Sequence, residues 1–200
     1  MLIDFVPLKK YLQSMHQYFK LHKPHGYISQ FVYELKRNKK KLGELFPFPE
    51  GTMAIGRLDE DSEGLLLLTT DGLMSEKIRS SHFEKEYYAQ VDGLITDEAI
   101  EKLQNGVLIG FNGTKYLTKN CKAFKLKGQP DWLGAGRRIR DERHGPTSWV
   151  SITLREGKFR QVRKMTSAVG FPTLRLVRVR IGNYYLQGLQ PGEVEELNAL

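Results

Sequence analysis

Two hundred residues, 40% of them apolar, suffice for one ordinary domain or two small halves sharing a core. Cys121 is the only cysteine, which excludes a disulfide framework and cysteine-built zinc sites, and no window approaches the ~20 apolar residues of a membrane span. Net charge is +8, with the basic residues concentrated in 1–55 and 121–200 while 56–120 is net acidic, so a polyanion is the natural partner and the cytoplasm, without a signal peptide, the expected compartment.

Residues 1–17 have no clear period and read as a short helix or an N-terminal arm. Tyr18 to Lys23 reads as a strand ending in the turn Lys23-Pro24-His25-Gly26, because Pro24 keeps Lys23 out of the helical region and Gly26 allows a bend. Lys36-Arg37-Asn38-Lys39-Lys40-Lys41 is either a solvated loop or a phosphate-contacting one. Phe46-Pro47-Phe48-Pro49 is too proline-rich for regular structure and leads through Met53-Ala54-Ile55 into the most unusual stretch of the chain.

That stretch is Gly56-Arg57-Leu58-Asp59, an acid-dense turn over Glu60 to Gly64, and the run Leu65-Leu66-Leu67-Leu68. The run is short and wholly apolar, so it predicts a strand buried on both faces. Asp71 then caps a helix with Leu73, Met74, Lys77 and Ile78 at helical spacing. Lys85 to Val91 is a strand bounded by Asp92-Gly93, with Tyr87 and Tyr88 on opposite faces. Thr96 caps a helix that Gly106 stops, and two strands follow around Gly106–Phe111 and Cys121–Leu126.

Gln129 to Pro146 is a long irregular stretch holding Arg137, Arg138, Arg140 and Arg143, and reads as an RNA-contacting loop. Ser148 to Leu154 alternates and predicts a half-buried strand. Lys158 to Val169 predicts a helix with Val162, Met165 and Val169 on one face and Gly170 at its end. Leu174 to Ile181 alternates again, with Arg178 and Arg180 opposite Val177, Val179 and Ile181. Strands without steady β-α-β alternation indicate an α+β fold with a mainly antiparallel sheet.

His22 and His25 lack a third ligand at suitable spacing, and no Gly-rich phosphate loop or dinucleotide fingerprint is present. What remains is an aspartate among arginines and tyrosines on a basic chain. An arginine at ion-pair distance keeps an aspartate ionised, and a tyrosine can stack on a base taken out of its helix. From the residues alone, an enzyme acting on RNA and a non-catalytic RNA-binding or ribosome-assembly protein stand about level. An aspartate-based hydrolase would need a second carboxylate, for which Glu60, Asp61 or Glu63 would have to serve.

The stretch Gly56 to Asp59 with Gly64 to Gly72 resembles the signature of the ribosomal RNA pseudouridine synthases of the RsuA type. Lys23-Pro24-His25-Gly26, Lys85-Glu86-Tyr87 and Glu156-Gly157-Lys158-Phe159-Arg160-Gln161-Val162-Arg163-Lys164-Met165 match in order, as do Gly170 to Arg178 and Gly188 to Glu193. The resemblance implies the pseudouridine synthase fold, with flanking helices and a central active-site cleft, and isomerisation of a uridine in large-subunit (23S) ribosomal RNA without metal, cofactor or energy source; a monomer is expected. It implies that Asp59 is the catalytic carboxylate, with attack at C1′, attack at C6 and removal of a ribose proton all open. It makes Tyr87 the base-stacking residue and Arg163 the ion-pair partner of Asp59, with Arg160 the alternative. Arg57, Leu58, Lys23, Arg160, Leu176 and Val177 are expected against the substrate, and Lys39, Lys40, Arg137, Arg138, Arg140 and Arg178 on the RNA backbone. Only 17 residues precede the strand that runs into the Lys-Pro-X-Gly segment. The chain therefore resembles the shorter subgroup, the E-type large-subunit synthases, with a single catalytic domain over 18–200 made of two half-domains sharing one sheet.

Overall fold

The computed structural model describes residues 16–32, 38–80, 83–134, 139 and 142–200. Among these residues eleven strands and three α-helices follow one another as β1 (Tyr18–Lys23), β2 (Met53–Ile55), β3 (Glu63–Thr69), α1 (Gly72–Ser80), β4 (Lys85–Asp92), α2 (Asp97–Asn105), β5 (Leu108–Phe111), β6 (Thr114–Leu117), β7 (Lys122–Leu126), β8 (Thr147–Leu154), α3 (Gln161–Ala168), β9 (Thr173–Ile181), β10 (Tyr184–Tyr185) and β11 (Val194–Leu197). Nine strands share one sheet in the order β11-β1-β3-β9-β4-β8-β7, with β2 beside β3 and β10 beside β9. The strands β5 and β6 form a separate hairpin. This is the expected α+β arrangement with a largely antiparallel sheet.

One pairing departs from that pattern and organises the rest. β3 and β9 run parallel, and their register is only two residues long, Glu63 opposite Val177 and Gly64 opposite Arg178. The sheet is thus two antiparallel blocks joined over a narrow seam. The seam lies where the acid-dense turn runs into the leucine strand. Gly64 is obligatory there: its φ is +108°, and a Cβ would lie 2.3 Å from the Arg178 carbonyl oxygen.

The leucine run is buried on both faces, as expected. Leu65 and Leu67 pack with Val177, Val179, Ile181 and Trp149, while Leu66 and Leu68 pack with Phe19, Leu21 and Leu42 on the other side. Successive side chains of a strand point to opposite faces, so an unbroken apolar run belongs between two cores. A third cluster joins β4 and β8 to α2 and α3 through Ala89, Val91, Leu103, Val150, Ile152, Val162 and Met165.

The helix caps behave as their residue types require. Asp71 Oδ1 accepts from the Leu73 and Met74 amides at 2.9 and 3.0 Å, and Thr96 Oγ1 from the Ala99 amide at 3.2 Å. Four features differ from the sequence expectation. β8 is buried on both faces rather than one, because Val150, Ile152 and Leu154 enter one core while Trp149 enters another, and its Ser151 hydroxyl is satisfied by Glu86 at 2.9 Å. The helix expected from Lys158 begins at Gln161, because Arg160 takes a left-handed conformation with φ 54°. β6 was not anticipated, although Asn112-Gly113, both at positive φ, is the turn pair a two-residue hairpin favours. β11 closes the far edge by pairing with β1, although its sequence carries little apolar pattern.

Candidate active site

A cleft of about 690 Å³ opens over the seam, with walls from both blocks of the sheet. The turn between β2 and β3 supplies Arg57, Leu58 and Asp59, β4 supplies Lys85 and Tyr87, and β9 supplies Leu176 and Arg178. The turn after β8 supplies Glu156, Lys158, Phe159 and Arg160. Its volume lies within the range of about 300–1,000 Å³ usual for small-molecule sites.

The acid-dense turn is held by its backbone at several points. The Ser29 hydroxyl accepts from the Leu58 amide at 2.9 Å and donates to the Leu58 carbonyl at 2.8 Å. The Gly26 amide donates to the Glu60 carbonyl at 2.8 Å, and the Ser62 amide to the Asp59 carbonyl at 3.0 Å. Asp59 therefore projects from a turn braced by the loop that follows β1. Its side chain keeps 29% of its surface exposed, enough for a carboxylate to meet a ligand in the cleft.

The guanidinium beside Asp59 is that of Arg160, whose Nη1 lies 3.6 Å from Asp59 Oδ2. Arg160 is engaged more closely by Asp61, through a bidentate pair at 3.0 and 2.9 Å. Arg163, expected to pair with Asp59, donates from Nη2 to the Asp61 carbonyl at 2.7 Å and lies 3.5 Å from the Asp61 carboxylate. The reason is local backbone. Left-handed Arg160, ahead of the helix, throws its side chain over the acidic turn, while Arg163 in the first turn of α3 faces the Asp61 carbonyl and the Ser62 hydroxyl. Burial pushes the Asp61 carboxyl up, but the Arg160 hydrogen bonds and the charges of Arg163 and Arg160 outweigh it and hold the group below the usual carboxylate range. The same hydrogen bonds raise the Arg160 guanidinium above its ordinary value.

Tyr87 and Leu176 both line the cleft. Tyr88 points the other way, into the core beside Trp132, with ring centres 6.2 Å apart. Val177, named with Leu176 as a candidate base support, is fully buried in the leucine core, because alternation along β9 turns it away from the cleft.

Two basic residues expected against RNA lie inside the protein. Lys23 is fully buried opposite Gly64 and donates to the carbonyls of Pro24 and Tyr27 at 3.0 and 2.5 Å. Burial lowers its pKa to about 8, against the opposing pull of Glu63, Asp61 and Asp59. It braces the loop behind the acidic turn instead of facing substrate. Arg178 is 3% exposed and donates to the Leu65 carbonyl at 2.7 Å, with Nη1 3.5 Å from the Arg57 carbonyl. Its Nη2 is buried with no hydrogen-bond partner among the described residues. Arg178 thus closes the floor of the cleft, where a backbone phosphate cannot reach it.

Lys39 lines the cleft and pairs with Glu60. Lys40 is exposed and lies 5.4 Å from the centre of the Tyr27 ring. Arg137, Arg138 and Arg140 fall outside the described residues. Lys85 and Glu156 are among the cleft residues that sequence reasoning passed over. Burial lowers the pKa of Lys85, assisted by the Arg178 charge. Glu156 accepts from the Tyr116 hydroxyl at 2.6 Å, the Lys119 amide at 3.0 Å and Gln161 Nε2 at 2.5 Å. Both belong to segments already singled out, but nothing in their spacing distinguishes a cleft residue from a surface one. Among the described residues no group of three or more His, Cys, Asp or Glu side chains is arranged to hold a metal ion.

Residues 17–168 match the model of the family described as RNA pseudouridylate synthase. The "Ribosomal large subunit pseudouridine synthase E" of Xanthomonas campestris is 39% identical over 175 residues, covering 86% of this chain and 91% of that protein. The "Ribosomal large subunit pseudouridine synthase B" of Bacillus subtilis is 32% identical over 183 residues, covering 90% of this chain and 67% of that protein. A solved structure titled "Crystal structure of pseudouridylate synthase" superposes with a TM-score of 0.71 at 29% identity, covering 91% of this chain and 70% of that one. With a match through most of its length and relatives near 40% identity, the chain belongs to the RNA pseudouridylate synthase family.

Proposed function

We propose that this pseudouridine synthase isomerises a uridine of large-subunit ribosomal RNA, with Asp59 as the catalytic carboxylate. The observation that carries the reading is the Asp59 side chain, braced on its turn, partly exposed in a 690 Å³ cleft, with the Arg160 guanidinium 3.6 Å away. The relatives named for the large ribosomal subunit support the choice of RNA. The reaction breaks the N1–C1′ bond, joins C5 to C1′, removes the proton from C5 and leaves one on N1. The same atoms are present before and after, so no cofactor or energy source is called for. Asp59 engages the sugar or the base once the nucleotide has entered the cleft.

The other residues take supporting roles. Tyr87 offers its ring to the flipped base, and Leu176 supports the base from the β9 side. Arg57, exposed at the rim beside Asp59, takes the space the base leaves. Arg160 sets its positive charge 3.6 Å from the Asp59 carboxylate, and Arg163 fixes the Asp61 backbone that positions both. Lys39, Lys40 and the arginines of 137–140 bind phosphates. The reading keeps the enzyme a monomer of the cytoplasm, the compartment of its ribosomal RNA substrate.

The test is pseudouridine mapping on large-subunit ribosomal RNA incubated with the purified protein. Wild type should create a new pseudouridine. Asp59→Asn should create none while binding the same RNA within a few-fold. Modification by Asp59→Asn at the wild-type rate would overturn the assignment.

A further inference from the structure

The turn between β8 and α3 exposes an aromatic ring that the core does not use. Phe159 lines the cleft and is 65% exposed. Its neighbours are cations. Lys164 Nζ lies 5.4 Å from the Phe159 ring centre and donates to the Gly110 carbonyl at 2.8 Å. Lys158 Nζ lies 5.1 and 4.9 Å from the ring centres of Phe111 and Tyr116.

The turn is tightly held on both sides of the ring. Arg160 is clamped by Asp61, the Lys158 amide donates to Gln161 Oε1 at 2.9 Å, and the Gln161 amide donates to the Lys158 carbonyl at 3.1 Å. Glu156 ties the start of the turn to the β5–β6 hairpin through Tyr116. An exposed ring on such a turn is presented to solvent at a defined place beside the cleft mouth. Aromatic rings interleaved with cations are the pattern that reads single-stranded nucleic acid, stacking a base while neutralising its phosphates.

We propose that Phe159 is a stacking platform for a nucleobase adjacent to the target uridine, with Lys158 and Lys164 on the adjoining phosphates. The proposal rests on the reading of the cleft as a uridine site and narrows its substrate class. A base within a duplex has both faces covered by its neighbours. A base that reaches Phe159 has left such a stack, so a nucleotide beside the target, and not the target alone, is unstacked in the bound RNA.

The test uses a large-subunit ribosomal RNA transcript and the variants Phe159→Ala, Phe159→Leu and Phe159→Trp. Base–aromatic stacking is worth about 1–3 kcal/mol, so loss of the ring should raise KM roughly 5- to 150-fold. Alanine and leucine should both show this rise with kcat little changed, and tryptophan should restore wild-type KM. An unchanged KM for alanine, or a leucine variant as good as tryptophan, would refute stacking. Since the ring is exposed, all three variants should melt with wild type. Ultraviolet crosslinking of the same transcript to Asp59→Asn should trap the peptide containing Phe159, and crosslinks confined to other cleft peptides count against the proposal. A wild-type protein that forms no pseudouridine in this transcript defeats the uridine reading, and the crosslink alone then decides the platform.

Discussion

Replacing Gly64 by alanine tests whether the seam between the two halves of the sheet sets the geometry of the site. Gly64 has φ +108°, and its Cβ would lie 2.3 Å from the Arg178 carbonyl oxygen and 2.6 Å from the Arg178 nitrogen. The contact is with backbone, so no side chain can swing aside. A non-glycine residue in that conformation costs about 1–3 kcal/mol, and forced overpacking about 1–3 more. The stiffer unfolded chain returns about 0.4–1 kcal/mol. The net loss is about 2–5 kcal/mol, a large share of the ~5–15 kcal/mol that stabilises a domain. Gly56→Ala is the control: φ is +74°, but nothing lies within 4 Å of the added methyl, so only the backbone cost of about 1–2 kcal/mol applies. Urea unfolding of the two variants, with the slope m compared as well as the midpoint, measures the difference. A Gly64→Ala protein no less stable than Gly56→Ala would refute the reasoning. Where Gly64→Ala still folds, its turnover should fall too, because Asp59 sits on the turn that enters this seam.

Other outcomes follow from the buried charges. Arg175 is 2% exposed and holds Glu63 in a bidentate pair at 3.1 and 2.9 Å, so Arg175→Met should cost about 3–5 kcal/mol by stranding the Glu63 carboxylate. Adding Glu63→Leu should recover most of it, and a single variant that loses less than about 1 kcal/mol would show that the pair is unimportant. Lys23 titrates near pH 8 when folded and at 10.5 when exposed, so between these values the unfolded chain holds the extra proton and stability rises with pH. The rise is about 3 kcal/mol, and it should vanish in Lys23→Met; equal pH slopes for both proteins in denaturant titrations would contradict it. Arg160→Gln should lower kcat roughly 100-fold, as loss of a preorganised charge does, whereas Arg163→Gln should chiefly lower Tm. An Arg163→Gln protein with wild-type Tm and an equal loss of kcat would return the pairing with Asp59 to Arg163.

Much of the architecture was legible before any coordinates. Four consecutive leucines require two cores, Asp71 and Thr96 offer the side-chain oxygens that helix starts need, and alternation along 174–181 places Val177, Val179 and Ile181 on one face. Asn112-Gly113 was equally legible as a hairpin turn, since its residues tolerate positive φ. The prominence of Asp59 also came from local order, a carboxylate between an arginine and a glycine-ended acidic turn. Periodicity, caps and turns are properties of neighbouring residues, and the sequence by itself determines them. Which cation meets which acid is decided by tertiary structure. Arginine and lysine reach several ångströms from their backbone, so starting α3 at Gln161 rather than Lys158 puts Arg160 instead of Arg163 beside Asp59. The same reach lets Lys23 and Arg178 bury their charges against carbonyls that lie far away in sequence or across a turn. The seam at Gly64 has the same origin: only the approach of β9, more than a hundred residues later, leaves no room for a side chain there.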